Sequence, residues 1–191
     1  MNICVYAASS RSVDAAYLDA AGELGRRLAE NGHTVIYGGG SVGLMGSLAD
    51  GALAAKGQVI GIIPEFMQEL EWGHKGVSEL KVVNDIHERK KLMMESADAL
   101  CALPGGTGTF EELLEAITWK RLGLFLKPIV IVNIRGYYDP LIAQLEKAVV
   151  EKFLDERHRD MWRVAAAPAD VLPAIESSPP WDITARGFAG H

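Results

Sequence analysis

The chain has 191 residues, of which 49% are hydrophobic and 23% charged, with a formal net charge of -6. That length is one domain's worth and can bury a core without disulfides or a structural metal, and the composition excludes extended disorder. The acidic balance argues against a nonspecific nucleic-acid binder, which needs a basic face, and no apolar run reaches the roughly 18 residues of a membrane span.

In chain order, NICVYAA reads as a buried strand that ends at Ser9 and Ser10. MNICVYAASSRS lacks the cationic start and long apolar run of a signal peptide, so a cytoplasmic chain is expected. Residues 14–30 carry apolar side chains at helical spacing and close on Asn31-Gly32. HTVIYGGG is a second strand running into glycines, followed by a small-residue helix from Leu44 to Ala55. QVIGIIP is a third strand, stopped at Pro64 because proline has no ladder donor. Residues 65–78 read as a loop or short helix over the carboxyl edge of the sheet. ELKVVND is a fourth strand, His87–Ser96 a charged helix, DALCALPGG a fifth strand, and Thr109–Arg121 a helix. KPIVIVN is a sixth strand, Pro140–Leu154 a helix, and a short strand or helix at 162–164 precedes a small helix near 168–176. The short apolar strands lack clean alternation, as strands covered on both faces do. Their βα order predicts a mostly parallel sheet of six or seven strands with right-handed crossovers, in a domain spanning 1–180 with a Pro- and Gly-rich tail at 181–191. The two cysteines, Cys4 and Cys101, lie in apolar runs with no metal or disulfide spacing and read as buried thiols.

Two glycine loops, GGGSVGLMG (38–46) and PGGTGTFEE (104–112), each follow a strand and precede a helix. Ligands of open parallel sheets bind beyond the carboxyl ends of strands. Backbone N–H groups at such a loop, with the dipole of the helix that follows, attract anions. Either loop alone is also an ordinary tight turn; two at equivalent places predict a phosphate or nucleotide pocket. Neither is a P-loop, since Thr109 and Phe110 stand where its lysine would be. Gly38, Gly40 and Gly43 satisfy the dinucleotide spacing, but after the second strand rather than the first, with Glu65 as the one ribose ligand in reach. Ser9, Ser10 and Arg11 at the same edge can meet a phosphate or sugar; a capping serine and a solvated arginine fit the same residues.

HERKK (87–91) puts cations at a helix start, which requires a negative partner: a phosphate, or Asp85 and Glu88. Arg89 and Lys90 are the inward candidates. Glu112, four residues past Gly108, can hold ribose hydroxyls, orient a water or stabilise an oxocarbenium ion. Glu115 shares its helix face, and Glu111 reads as a first-turn dipole partner. The histidines are scattered: His74 can approach the site from its loop and His87 from its helix start, but surface or capping roles fit both better, and no G-x-S-x-G or H-E-x-x-H is present.

PGGTGTFEE preceded by HERK resembles the Lonely Guy (LOG) family of cytokinin riboside 5'-monophosphate phosphoribohydrolases, often mislabelled as lysine decarboxylases. The pattern P-G-G-x-G-T-x-x-E matches Pro104, Gly105, Gly106, Gly108, Thr109 and Glu112, and the family's Arg-Lys pair matches Arg89 and Lys90. YGGGSVGLMG resembles its first glycine region, with Gly39, Gly40 and Met45 as candidate contacts beside Ser9. The resemblance implies that Arg89 and Glu112 are catalytic. It places Lys90 and the Gly105–Glu111 loop, including Thr107, at the nucleotide. The implied fold is a Rossmann-like three-layer α/β/α sandwich of the molybdenum-cofactor-carrier type. The implied reaction converts a nucleoside 5'-monophosphate, AMP or N6-modified AMP, to free base and ribose 5-phosphate without cofactor or metal. The implied assembly is a homodimer with active sites near the interface, expected here through the helix after Leu44 and the helix ELLEAITWKRLGLF. Ile86 stands where many members have methionine, and the glutamate that relatives hold near the substrate corresponds to Glu69 or Glu71. A decarboxylase would need a Schiff-base lysine in a pyridoxal site, which no lysine here suggests. The competing readings are a noncatalytic nucleotide or cofactor carrier and an NAD-dependent oxidoreductase.

Overall fold

The computed structural model describes residues 1–71 and 73–188. Seven strands run β1 (Asn2–Tyr6), β2 (Thr34–Tyr37), β3 (Val59–Pro64), β4 (Glu79–Val83), β5 (Ala99–Ala102), β6 (Ile129–Val132) and β7 (Arg163–Ala165). They interleave with helices α1 (Ala15–Glu30), α2 (Gly43–Ala54), α3 (Glu65–Glu71), α4 (Ile86–Glu95), α5 (Thr107–Arg121), α6 (Asp139–Val150) and α7 (Val171–Glu176). The sheet order is β4-β3-β2-β1-β5-β6-β7, and every pairing is parallel. The chain builds outward from β1 to β4, then crosses back to place β5 on the other side of β1. The carboxyl ends of β1 and β5 therefore flank the point where strand order reverses, the crevice in which open α/β sheets hold ligands.

Strand alternation explains the two cores. Ile3, Val5, Val35 and Tyr37 face one way, onto α1, α2 and α7. Cys4, Tyr6, Ile36 and Leu100 face the other way, onto α4, α5 and α6. Burial on both faces is why the strands read as apolar runs. It also raises the pKa of the free thiols Cys4 and Cys101, the latter to about 12.

Three expectations change. The helix α5 begins at Thr107 rather than Thr109, because Gly106 takes the N-cap and Phe110 N–H closes the first turn onto the Gly106 carbonyl at 3.0 Å. Glycines at such a start break no intrahelical bond. The helix α6 ends at Val150, not Leu154, because Lys152 adopts φ 68. The apolar residues expected at an interface are largely internal. Leu113, Ile117 and Phe125 are buried, as are Leu44, Leu48, Ala49 and Ala52 of α2. The α2 backbone packs so tightly on α1 that a Cβ on Gly25 would lie 2.0 Å from the Leu48 carbonyl oxygen.

The segment after α7 lies over the far end of α5. Trp181 Nε1 donates to the Lys120 carbonyl at 2.7 Å, and Trp181, Phe188 and the buried His158 ring form a cluster. Residues 189–191 of the expected tail lie outside the described residues. Beneath this segment Lys120 is 2% exposed, with Nζ donating to the Lys127 carbonyl at 2.7 Å. Burial, helped by the charge of Arg163, pushes its pKa down to about 8.

Between that value and the roughly 10.4 of an unfolded lysine, the unfolded state binds the proton that the folded state lacks, so stability rises with pH through the window. Relative to Lys120→Met, the native chain should gain on the order of 1–3 kcal/mol between about pH 8 and pH 10 in urea denaturation. A difference that stays flat or falls would contradict this assignment.

Candidate active site

A cavity of about 320 Å³ opens at the strand-order reversal, lined from three directions. The β1 end supplies Ala7, Ala8, Ser9 and Ser10; α4 supplies Ile86, Arg89 and Lys90; the start of α5 supplies Gly106 to Thr109 with Glu111 and Glu112. Met45 of α2 and Met67 of α3 complete the wall.

Arg89 and Lys90 reach the cavity because Asp85 starts α4 correctly. Its carboxylate accepts from the N–H groups of His87 and Glu88, both at 2.8 Å, which lowers its pKa. Glu88 in turn accepts from Asn84. Asp85 and Glu88 thus supply the negative partners that the cationic helix start requires. Arg89 is 6% exposed, and its Nε donates to the Ile62 carbonyl at 3.1 Å and its Nη2 to the Gly38 carbonyl at 3.0 Å. Met67 Sδ lies 3.8 Å from Nη1. A Cβ on Gly38 would lie 2.0 Å from Nη2, so this glycine makes room for the guanidinium. With two of five N–H groups tied to carbonyls, the guanidinium is fixed and still has donors for the cavity.

Lys90 is 5% exposed and bonds Glu111, with Glu115 at 3.1 Å. Burial works against its ammonium, but the two carboxylates outweigh it and raise its pKa. This corrects the reading of Glu111 as a first-turn dipole partner: α5 starts two residues earlier than expected, and Glu111 ties α5 to α4 instead. Glu112 is half-buried and lines the same cavity as Arg89 and the start of α5.

At α5, the N–H groups of Thr107, Gly108 and Thr109 precede the first intrahelical bond, as in any helix start. The loop beneath is held from the α6 side, where Tyr138 Oη donates to the Leu103 carbonyl at 2.7 Å and Tyr137 Oη donates to the Gly105 carbonyl. Gly105 is buried under the Thr109 side chain, whereas Gly106 and Gly108 are exposed.

The expected residues therefore divide. Ser9, Met45, Arg89, Lys90, Gly106, Thr107, Gly108, Thr109, Glu111 and Glu112 line one cavity. Gly105 lines an adjoining cleft beside Tyr17 and Tyr137. Glu115 acts on Lys90 from behind. Gly39 and Gly40 are buried beside the wall: Gly39 packs on Ile63 and Leu80, and Gly40 bridges Gly73. Arg11 and His87 are exposed. The side chains of Glu69 and Glu71 lie outside the described residues. The sequence reading missed Met67 and the alanines Ala7 and Ala8. Their one signal was position, since each follows the carboxyl end of a strand. Among the described residues, no group of three or more His, Cys, Asp or Glu could hold a metal ion, and no helix is long and apolar enough to cross a membrane.

Residues 45–175 match a family model described as possible lysine decarboxylase. The chain is 45% identical to the probable cytokinin riboside 5'-monophosphate phosphoribohydrolase LOGL1 of Oryza sativa subsp. japonica, over 91% of this chain and 78% of that one. It is 40% identical to the cytokinin riboside 5'-monophosphate phosphoribohydrolase LOG1 of Arabidopsis thaliana, over 93% and 84%. Among solved structures, it superposes on the molybdenum cofactor binding protein of Rippkaea orientalis with a TM-score of 0.71 and 25% identity, over 92% of this chain and 95% of that one.

The loop geometry is open to a stability test. A Cβ on Gly105 would lie 2.1 Å from Thr109 Oγ1, whereas one on Gly108 meets nothing within 4 Å. Gly105→Ala should therefore cost about 1–3 kcal/mol in chemical denaturation. Gly108→Ala, inside the helix, should be neutral or add up to about 1 kcal/mol. Equal effects would contradict the described packing of Thr109.

Proposed function

The chain belongs to the LOG family of phosphoribohydrolases, and from that premise we propose how its cavity hydrolyses the N-glycosidic bond of AMP and N6-modified AMP. The observation that carries the reading is that Arg89 and Glu112 face one cavity whose floor is the N-terminus of α5. The 5'-phosphate sits at the free amides of Thr107 and Gly108, where helix dipole and N–H groups favour an anion. The ribose then lies between Glu112 and Ser9, and the base points toward Met67 and Ile86.

In the reaction, a water oxygen bonds to C1' while the C1'–N bond breaks and its electron pair leaves with the base. The water's proton balances the departing base. Positive charge builds on C1' and O4' in the transition state; the Glu112 carboxylate stabilises it, takes the water's proton and passes it on to the departing base, which restores the carboxylate. A carboxylate beside a phosphate repels it unless a cation intervenes. Arg89 supplies that cation at a fixed place and presents its remaining N–H groups to the substrate. Lys90, tied to Glu111 and Glu115, keeps α4 and α5 in register and adds positive potential at the rim. A noncatalytic carrier of the same fold gains nothing from Glu112, whose charge opposes an anionic ligand.

Glu112→Gln should keep the fold and lower kcat for AMP about 100-fold or more, a typical scale for loss of a positioned acid–base group. Glu111→Gln should change kcat far less, since Glu111 is exposed and meets Lys90. Free base released over time compares them; wild-type rates in the Glu112 variant would remove its catalytic role.

We also infer a homodimer. Leu122, Leu124 and Leu126, at and beyond the end of α5, are exposed beside an apolar groove lined by Met94, Trp119 and Phe125. Light scattering should give twice the chain mass, and Leu124→Asp should shift it toward monomer; a monomeric wild type would reject this.

A further inference from the structure

Arg89 is fixed partly by the Gly38 carbonyl, so whatever holds the first glycine loop also aims the guanidinium. We propose that His74, which lies outside the cavity, is a positioning residue for Arg89. It clamps the turn between α3 and β4 onto residues 38–40.

The links run in sequence. The His74 backbone N–H donates to the Gly39 carbonyl at 3.0 Å, and Gly40 forms an antiparallel bridge with Gly73. That hydrogen bond belongs to the bridge, so the turn ties down, by one backbone attachment, the loop that leaves β2. The loop has little slack of its own: Gly39 sits at φ 80, with its missing Cβ 3.0 Å from Ile63 and 3.2 Å from Leu80. On its inner side the Gly38 carbonyl takes Arg89 Nη2. The helix before the turn touches Arg89 directly, since Met67 of α3 lies against Nη1.

The His74 ring holds the turn in place. Its side chain is 12% exposed, with Nε2 3.0 Å from Asp50 Oδ1 on α2 and Nδ1 3.1 Å from the Gly76 nitrogen. A backbone N–H can only donate, so Nδ1 carries the lone pair and the ring proton sits on Nε2, facing Asp50. One ring therefore joins the turn to itself and to α2. A lysine or arginine at position 74 could not accept from Gly76, and a carboxylate would meet Asp50 with like charge.

His74 does not line the cavity, and the route we assign it runs through the Gly38–Gly40 loop to Arg89. The phosphate grip lies on α5 and is independent of it. His74→Ala should lower kcat for AMP about tenfold, with KM changed much less and the thermal midpoint shifted by only a few degrees. His74→Gln, which can still donate to Asp50, should recover most of the rate. Asp50→Ala should lose rate as His74→Ala does, and the double variant should be no worse than either single one.

Unchanged kcat in His74→Ala, additive losses in the double variant, or a rate loss that only tracks unfolding would each overturn the proposal. The kinetic arm rests on the phosphoribohydrolase reading. A second arm does not: in NMR spectra of the full chain, the Arg89 Nε–H, bonded to the Ile62 carbonyl, should exchange slowly in wild type and faster in His74→Ala. If wild type released no base from AMP, the functional reading would fall, while the exchange rates would still uphold or overturn the clamp. Identical exchange in the two proteins would overturn it.

Discussion

A guanidinium is tolerated in a protein interior only where acceptors surround it. Arg89 meets that condition with two main-chain carbonyls, at Gly38 and Ile62, near the carboxyl ends of adjacent strands. Much of the local architecture follows from this. The two strands must be parallel neighbours to offer both carbonyls at one edge. Position 38 must lack a side chain. The helix α4 must start at a fixed rotation for its fourth residue to point inward, and the Asp85 cap sets that start.

The second constraint comes from the opposite side of the cavity. Strand β5 lies on the far side of β1, so α5 begins over the strand-order reversal and its first residues line the same cavity as Arg89. Glu112 stands one and a half turns along α5, close enough to act beside an anion bound at the helix start. Lys90 holds the two helices together through Glu111 and Glu115. The cation on α4 and the carboxylate and anion-binding amides on α5 therefore meet because sheet topology brings the two helix starts together. A hydrolase that must stabilise positive charge at an anionic substrate needs all three, whereas a carrier needs only the first and last.

Much of this was legible in the sequence because it is local. Strands buried on both faces show as apolar runs such as NICVY and PIVIV, and glycine loops mark where they end. The parallel α/β/α sandwich follows from their order, and the family from PGGTGTFEE with HERKK. What was not legible depends on contacts between distant elements. Glu111 and Glu115 were readable as helix neighbours, but their partner Lys90 lies on another helix. The start of α5 was placed too late because Gly106 and Gly108 look like breakers; at a cap and in the first turn they interrupt no hydrogen bond. Met67 sits in an irregular stretch whose periodicity assigns no inward face. The helix ELLEAITWKRLGLF looked too apolar for one sheet face, yet Leu113, Ile117 and Phe125 are absorbed by the core.

The cavity breaks one bond, between C1' and the base, and leaves the phosphate ester intact. The most direct test is to follow AMP by proton and phosphorus NMR with the purified chain. Adenine and ribose 5-phosphate should appear in equal amounts, with no inorganic phosphate. Unchanged AMP, or release of phosphate with adenosine, would contradict this reading.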